Sequence, residues 1–273
     1  MLTFTLFDVG HGFCAYATTP SGASILFDCG YDNDLEFYPS RYFSDRRITA
    51  IDRLILSHFD QDHVCDLPNL RKAVTFGSIA RNRSIPVDFI QREKRQNGII
   101  TGAMASAIEM HQNWIFPARD PDWGGVKVTT FSNPHPTFTD MNNMSLVTFL
   151  EYQGCGIVVP GDMECAGWEK LLALPDFCQC LRETNIFIAS HHGRNAGYSE
   201  KVFDYCEPAI VILSDKGIVH DSQEHDYTKH ASGVQWNGDE TQKRYVLTTR
   251  NDGHIRITKE TAKGFFIRAN LDL

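Results

Sequence analysis

An α+β fold, with two β-sheets packed face to face and helices outside, is the architecture this sequence predicts. Three observations carry it. Short apolar and β-branched runs come in clusters broken by glycine and proline turns. Helical patterns intervene between only some of them, unlike the regular alternation of one doubly wound parallel sheet. And 42% of the 273 residues are hydrophobic, enough to bury a substantial core. The chain is read as a single domain over 1–273.

The elements follow in order. The runs at 2–9 (LTFTLFDV), 13–19 (FCAYATT) and 24–30 (SILFDCG) predict strands; Gly10 and Gly12 flank His11, and Pro20-Ser21-Gly22 signals a hairpin turn. Residues 51–58 (IDRLILSH) predict a buried strand, and a helix begins in DLPNLRKAV. Apolar residues at near-helical spacing predict a helix over 99–115. Strands return at 126–131, 145–153 and 156–162; 166–175 is helical and ends at Pro175. Strands at 184–193 and 208–215 follow, the first running into a histidine pair, and strands at 244–250, 253–258 and 263–269 close the chain.

Composition excludes several classes. No stretch approaches 18 consecutive apolar residues, so no membrane span is expected. The start, MLTFTLFDVG, reads as a first strand and not as a signal peptide. A net charge of −8 argues against broad nonspecific nucleic-acid binding, although bound divalent metals would supply local positive charge. The 8 cysteines are dispersed, with no Cys-x-x-Cys pair, which fits reduced thiols and a cytoplasmic location. One segment, Arg71 to Arg95, is locally basic: either a solvated face or a lip that contacts phosphates.

The densest chemistry lies in Ser57-His58-Phe59-Asp60-Gln61-Asp62-His63. An apolar strand delivers His58 to a sheet edge, and Asp60, Asp62 and His63 follow on a tight loop where side chains can converge. Imidazoles and carboxylates suit zinc, manganese or iron. Gathered without a cation, these groups would be costly; the bland alternative is a solvated acidic loop.

SHFDQDH resembles the His-x-[His/Asp]-x-Asp-His signature of the metallo-β-lactamase superfamily. In its Asp60 form it is similar to the metallo-β-lactamase-like domain of bacterial DNA-uptake competence proteins, and to related phosphorylcholine esterases. FDVGHGFC, ILFDCG, NNMSLVTFLEY, GIVVPGDME and IASHHGR resemble that branch's further motifs, in the same order. The resemblance implies an αββα sandwich and two divalent metal ions, zinc or manganese. It implies His58 and Asp60 on the first ion, Asp62 and His63 on the second, and Asp162 bridging them. The last ligand would be His192 or its neighbour His191, with His192 preferred. The histidine that completes the first site in most members is missing before Ser145, where Asn142 and Asn143 stand. The first site is therefore expected to be poorer in nitrogen ligands, so that one metal or a labile pair becomes compatible. His135 is read as a loop residue. His220 is a further candidate, ahead of His225 and His230. His11 and Asp8 would reach the rim or support ligands, and Asp8 and Asp28 are candidate acceptors for ligand imidazoles.

The implied reaction is hydrolysis by a metal-bound hydroxide, since a divalent ion lowers the pKa of water from about 15.7 to about 7. Asp62 or His191 would move the proton. The expected substrate is a phosphoester, with nucleic acid or a nucleotide favoured, making the chain a phosphodiesterase or nuclease. Hydrolysis of an ester, lactone, thioester or amide is the second reading. A noncatalytic metal-binding or partner-binding module is the third.

Overall fold

The computed structural model describes residues 1–113, 120–216, 222–236, 239–260 and 264–273. The first sheet contains β1 (Leu2–Leu6), β2 (Ala15–Thr18), β3 (Ser24–Phe27), β4 (Ala50–Ile55) and β5 (Thr75–Ala80). The second contains β6 (Lys127–Phe131), β7 (Val147–Tyr152), β8 (Cys155–Val159), β9 (Thr184–Ile188) and β10 (Ile210–Leu213). A small ribbon pairs β11 (Val234–Trp236) with β12 (Asp239–Arg244). The chain then adds β13 (Val246–Thr248) to the second sheet, and β14 (Ile255–Lys259) and β15 (Phe265–Arg268) to the first. The orders are β15-β14-β1-β2-β3-β4-β5 and β13-β10-β9-β8-β7-β6.

Period-two alternation explains the layers. On β8, Ile157 and Val159 face the first sheet while Val158 faces out; β9 repeats this with Ile186, Ile188 and Phe187, and β10 with Ile210, Ile212 and Val211. From the first sheet, Leu2, Phe4, Leu6, Ile25, Phe27 and Ile55 fill the same inner layer. The outer face of the first sheet is covered by α1 (Pro39–Asp45), α2 (Gln61–Val64), α3 (Leu67–Ala73), α4 (Val87–Gln96) and α5 (Gly102–Asn113), through Phe43, Leu70, Ile90 and Ala107. The outer face of the second is covered by α6 (Cys165–Leu171) and α7 (Pro175–Arg182), through Trp168, Leu171, Phe177 and Leu181. This is the αββα sandwich the sequence predicts. The remaining helices are α8 (Glu224–Thr228) and α9 (Thr249–Asp252).

Three local expectations change. Pro175 opens α7 at its first turn instead of merely closing α6; its missing N–H suits either position. The predicted strand at 244–250 is shorter, because Thr249–Asp252 turns into α9. Residues 114–115 of the predicted helix, and 263 of the last predicted strand, lie outside the described residues.

Strand direction places the site. β3, β4 and β5 run parallel, and so do β8, β9, β10 and β13. The carboxyl ends of β3, β4, β8, β9 and β10 therefore converge on one edge of the sandwich, where open sheets commonly bind ligands. Asp28 and Ser214 directly follow those ends, and His58, Asp162 and the histidine pair come three or four residues after them.

Candidate metal centre

Close backbone packing fixes the ligand loop. The Phe13 N–H donates to the Asp62 carbonyl at 3.3 Å, and the Cys29 N–H to the His63 carbonyl at 2.8 Å. A Cβ on Gly30 would lie 2.1 Å from the Asp62 carbonyl oxygen, and one on Gly12 2.5 Å from it. Gly12 of FDVGHG and Gly30 of FDCG are thus required by the approach of two loops to the ligand turn. Gly12 also receives a hydrogen bond from Ser214 Oγ at its carbonyl, 2.7 Å, tying the end of β10 to the same loop.

Four side chains meet tightly. Ligand atoms of Asp62, His63, Asp162 and His192 all lie within 4.8 Å of one another. His63 Nε2 is 3.1 Å from Asp162 Oδ1, and His192 Nε2 is 3.3 Å from Asp62 Oδ2 and 3.5 Å from Asp162 Oδ2. The outer ring nitrogens are committed elsewhere. His63 Nδ1 donates to Asp28 Oδ2 at 2.8 Å, and His192 Nδ1 donates to the Ser214 carbonyl at 3.0 Å. Both Nε2 atoms then present lone pairs, and they face each other at 3.4 Å. That convergence, beside two carboxylates, calls for a proton or a cation between them. The donor set fits a divalent ion, with the supporting acceptors that ligand histidines require.

Protonation follows the same logic. Burial opposes charge on His63, but Asp162 and Asp28 outweigh it and push the ring well above its ordinary value. His192 is likewise opposed by burial and is raised to about 9, by Asp162 and Asp62. Burial would also raise Asp162, yet the charges of His63 and His192 hold it well below the ordinary carboxylate range.

The other sequence-predicted residues take looser positions. His58 is buried, its Nδ1 donates to Ser57 Oγ at 2.9 Å, and that hydroxyl donates on to Asp28 Oδ2 at 2.6 Å. His58 Nε2 is left without a hydrogen-bond partner, 3.8 Å from both Asp60 Oδ2 and Asp162 Oδ2. Asp60 is engaged by the Lys94 ammonium. His191 and His192 both adopt left-handed backbone, φ 50° and 57°, which costs about 1–3 kcal/mol each and splays their rings apart. His191 Nε2 lies 3.8 Å from Asp162 Oδ2, and its Nδ1 sits 3.3 Å from Glu164 Oε1 without hydrogen-bond alignment. Burial lowers its pKa, leaving it neutral near pH 7. Asn142 does not join the ligands; its Nδ2 donates to the same Glu164 oxygen at 3.0 Å.

His11 packs at a tilt against His192, 4.6 Å between ring centres, and burial together with the His192 charge lowers its pKa to about 4. The neutral ring accepts a hydrogen bond from Arg194 Nη2 at 2.8 Å, so its 3.4 Å approach to Asp62 is a contact and not an ion pair. Asp28 and Asp8 divide. Asp28 holds His63, whereas Asp8 caps its own turn by accepting from the Gly10 N–H at 3.2 Å. His135 packs at a tilt against Phe89 at 4.5 Å, and His230 stacks on Phe203 at 4.1 Å while bonding Tyr198. His220 lies outside the described residues.

Sequence reasoning did not single out Arg194, Glu164 or Ser214. Arg194 places a guanidinium beside His11 and, at 3.4 Å, His191 Nε2; among the described residues no carboxylate pairs with it. Its position directly after the His-His-Gly motif was the available signal. Two cations of the basic segment serve structure: Arg71 bridges to Glu109 at 2.8 Å and Arg81 donates to the His111 carbonyl at 2.7 Å. Lys94 is its member at the site.

Residues 8–205 match the model of the metallo-beta-lactamase superfamily, and the chain belongs to that superfamily. The chain is 23% identical over 177 residues to ComE operon protein 3 of Bacillus subtilis, covering 63% of this chain and 21% of that protein. It is 25% identical over 214 residues to Recombination protein 2 of Haemophilus influenzae, covering 76% of this chain and 23% of that protein. The chain therefore spans about a fifth of the length of these curated relatives. A crystal structure of a diphosphatase from the PhnP family superposes with a TM-score of 0.48 at 12% identity, over 96% of this chain and 99% of that one. Fold and clustered ligands together make the chain a metal-dependent hydrolase by architecture, with a site able to hold one or two ions.

Proposed function

We propose that this chain is a phosphodiesterase acting on nucleic acid or a nucleotide, using zinc or manganese held by Asp62, His63, Asp162 and His192. The observation that carries the substrate class is Arg194. A guanidinium that donates to two imidazoles at the site, with no carboxylate partner among the described residues, suits a substrate phosphate. A bound divalent ion would supply Lewis acidity and a water acidic enough to attack near neutral pH. The chain's own residues do the rest. Arg194 orients the anion and, in turning to it, frees His191 Nε2; His11 supports Arg194, and neutral His191 then accepts or returns a proton at Nε2 while Glu164 flanks its Nδ1. Asp28 and the Ser214 carbonyl hold the two ligand rings in the tautomer that leaves Nε2 available.

The testing experiment is turnover of bis-p-nitrophenyl phosphate, with added manganese or zinc, against a panel of lactones and carboxylic esters. The reading expects phosphodiester cleavage that Asp62→Asn abolishes. Activity confined to the lactones and esters would overturn it. Cytoplasmic location belongs to the same proposal, supported by eight free cysteines, as does the reading of residues 1–273 as one hydrolase domain. Among the described residues, no helix is long and apolar enough to cross a membrane.

A further inference from the structure

The two ligand groups that share Asp162 are not equally built, and Lys94 marks the difference. Lys94 lies on α4, far from the ligand loop in sequence, yet its side chain is only 6% exposed and its ammonium pairs with Asp60 Oδ1. Glu93 Oε2 stands 3.1 Å from the same nitrogen. With Oδ1 of Asp60 so engaged, the first group retains, among the described residues, His58 Nε2, the shared Asp162 and the outer oxygen Asp60 Oδ2, 3.8 Å from His58 Nε2. Among the described residues no further histidine completes it: Asn142 is tied to Glu164, His135 packs against Phe89, and His191 Nε2 is 3.4 Å from the Arg194 guanidinium. The mutually close set of ligand atoms is accordingly Asp62, His63, Asp162 and His192, and it includes neither His58 nor Asp60.

We propose that Lys94 stands in electrostatically for the first of the two ions, so that the chain holds one divalent cation, in the Asp62–His63–Asp162–His192 set. The argument is one of charge and donor number. A buried ammonium on Asp60, shared with Glu93, offsets part of the carboxylate charge that would attract a dication, and it repels that dication as a like charge. His58 Nε2 and Asp162 alone are too few for zinc, which takes three or four donors, and Asp60 Oδ2 can add only a carboxylate already shared with Lys94; manganese prefers more oxygen ligands still. His58 Nε2 then faces the site as a buried acceptor for a water or substrate proton, which accounts for its missing partner. The inference rests on the metal-binding part of the proposed function and is independent of the substrate.

The test is metal content of the full chain by elemental analysis after equilibration with zinc or manganese, together with anomalous diffraction at the metal edge. One ion per chain is expected, with a single anomalous peak between His63 and His192. Lys94→Met restores Asp60 as a ligand, so uptake should rise from one ion towards two in a manganese titration. Lys94→Arg, which keeps the charge, should stay at one. Two ions in the wild-type chain, or a second peak between His58 and Asp60, overturns the role of Lys94 while leaving the metal-binding reading intact. An unchanged single ion in Lys94→Met overturns it as well. A chain that takes up no ion overturns both readings. Should Lys94→Met fail to fold, the number of wild-type anomalous peaks still decides.

Discussion

The Asp62–His63–Asp162–His192 group and the His58–Asp60–Asp162 group come from one loop and share one carboxylate, yet differ in how finished they are. In the first, every ring has its outer nitrogen hydrogen-bonded and its inner nitrogen aimed at a carboxylate. In the second, an inner nitrogen is orphaned and the carboxylate is claimed by a lysine. The difference teaches that ligand-type residues in the right order do not make equivalent sites. Both groups have their rings oriented from outside, but only in the first are the carboxylates left without a competing ammonium, since Lys94 holds an oxygen of Asp60.

Substitutions can break this contrast. The largest effect is expected from Asp162→Ala, which removes the residue common to both groups. Ion content should fall to background and turnover should drop by more than the roughly 100-fold that an outer-shell change costs. Retained ion in elemental analysis would sink the assignment. Next comes the histidine pair. His192→Ala should lose the ion, whereas His191→Ala should keep it and slow turnover by about 10²–10⁴-fold, the range of a general acid or base. Equal ion loss in both variants would merge the roles the geometry separates. Asp28→Asn comes third: with His63 Nδ1 no longer facing a charged acceptor, metal affinity measured by chelator competition should weaken about 10–100-fold.

Acidity sharpens the same comparison more gently. His192, raised to about 9, must lose its proton to become a ligand, so ion binding should release protons and tighten as pH rises towards that value. In chelator-treated protein the charged ring stabilises the fold fully below its unfolded value of about 6.5, and this contribution is lost as pH rises through about 9. Melting temperature should therefore fall across that window with chelator, and change less with the ion present. A flat profile under both conditions would contradict the coupling. The smallest effect is predicted for Asp60→Asn, which should leave ion content at the wild-type level.

Legibility of the sequence followed how strongly each element is marked by burial. β8, β9 and β10 were readable because nearly every residue is apolar and buried. α4 was not, because Phe89, Ile90 and Lys94 are its only buried residues and charged side chains fill the rest. β5 was hidden by Gly77, which breaks its apolar pattern; a Cβ there would lie 2.8 Å from the Asp52 carbonyl oxygen of the neighbouring strand. The ligand types were readable because they lie within a few residues of strand ends. Which of two adjacent histidines turns inward was not, since it depends on two left-handed residues whose rings diverge.

By itself the sequence determined the layers of the sandwich and the order in which ligand side chains arrive at its edge, since alternation and strand-end position are local properties of the chain. Tertiary structure alone decided which ligands are completed. Asp28 reaches His63 from a neighbouring strand end, the Ser214 carbonyl orients His192 from another, and Lys94 reaches Asp60 from a helix 34 residues away. These partners are set by which elements pack together, and the electrostatics of a buried site depends on distances in space that no local pattern encodes.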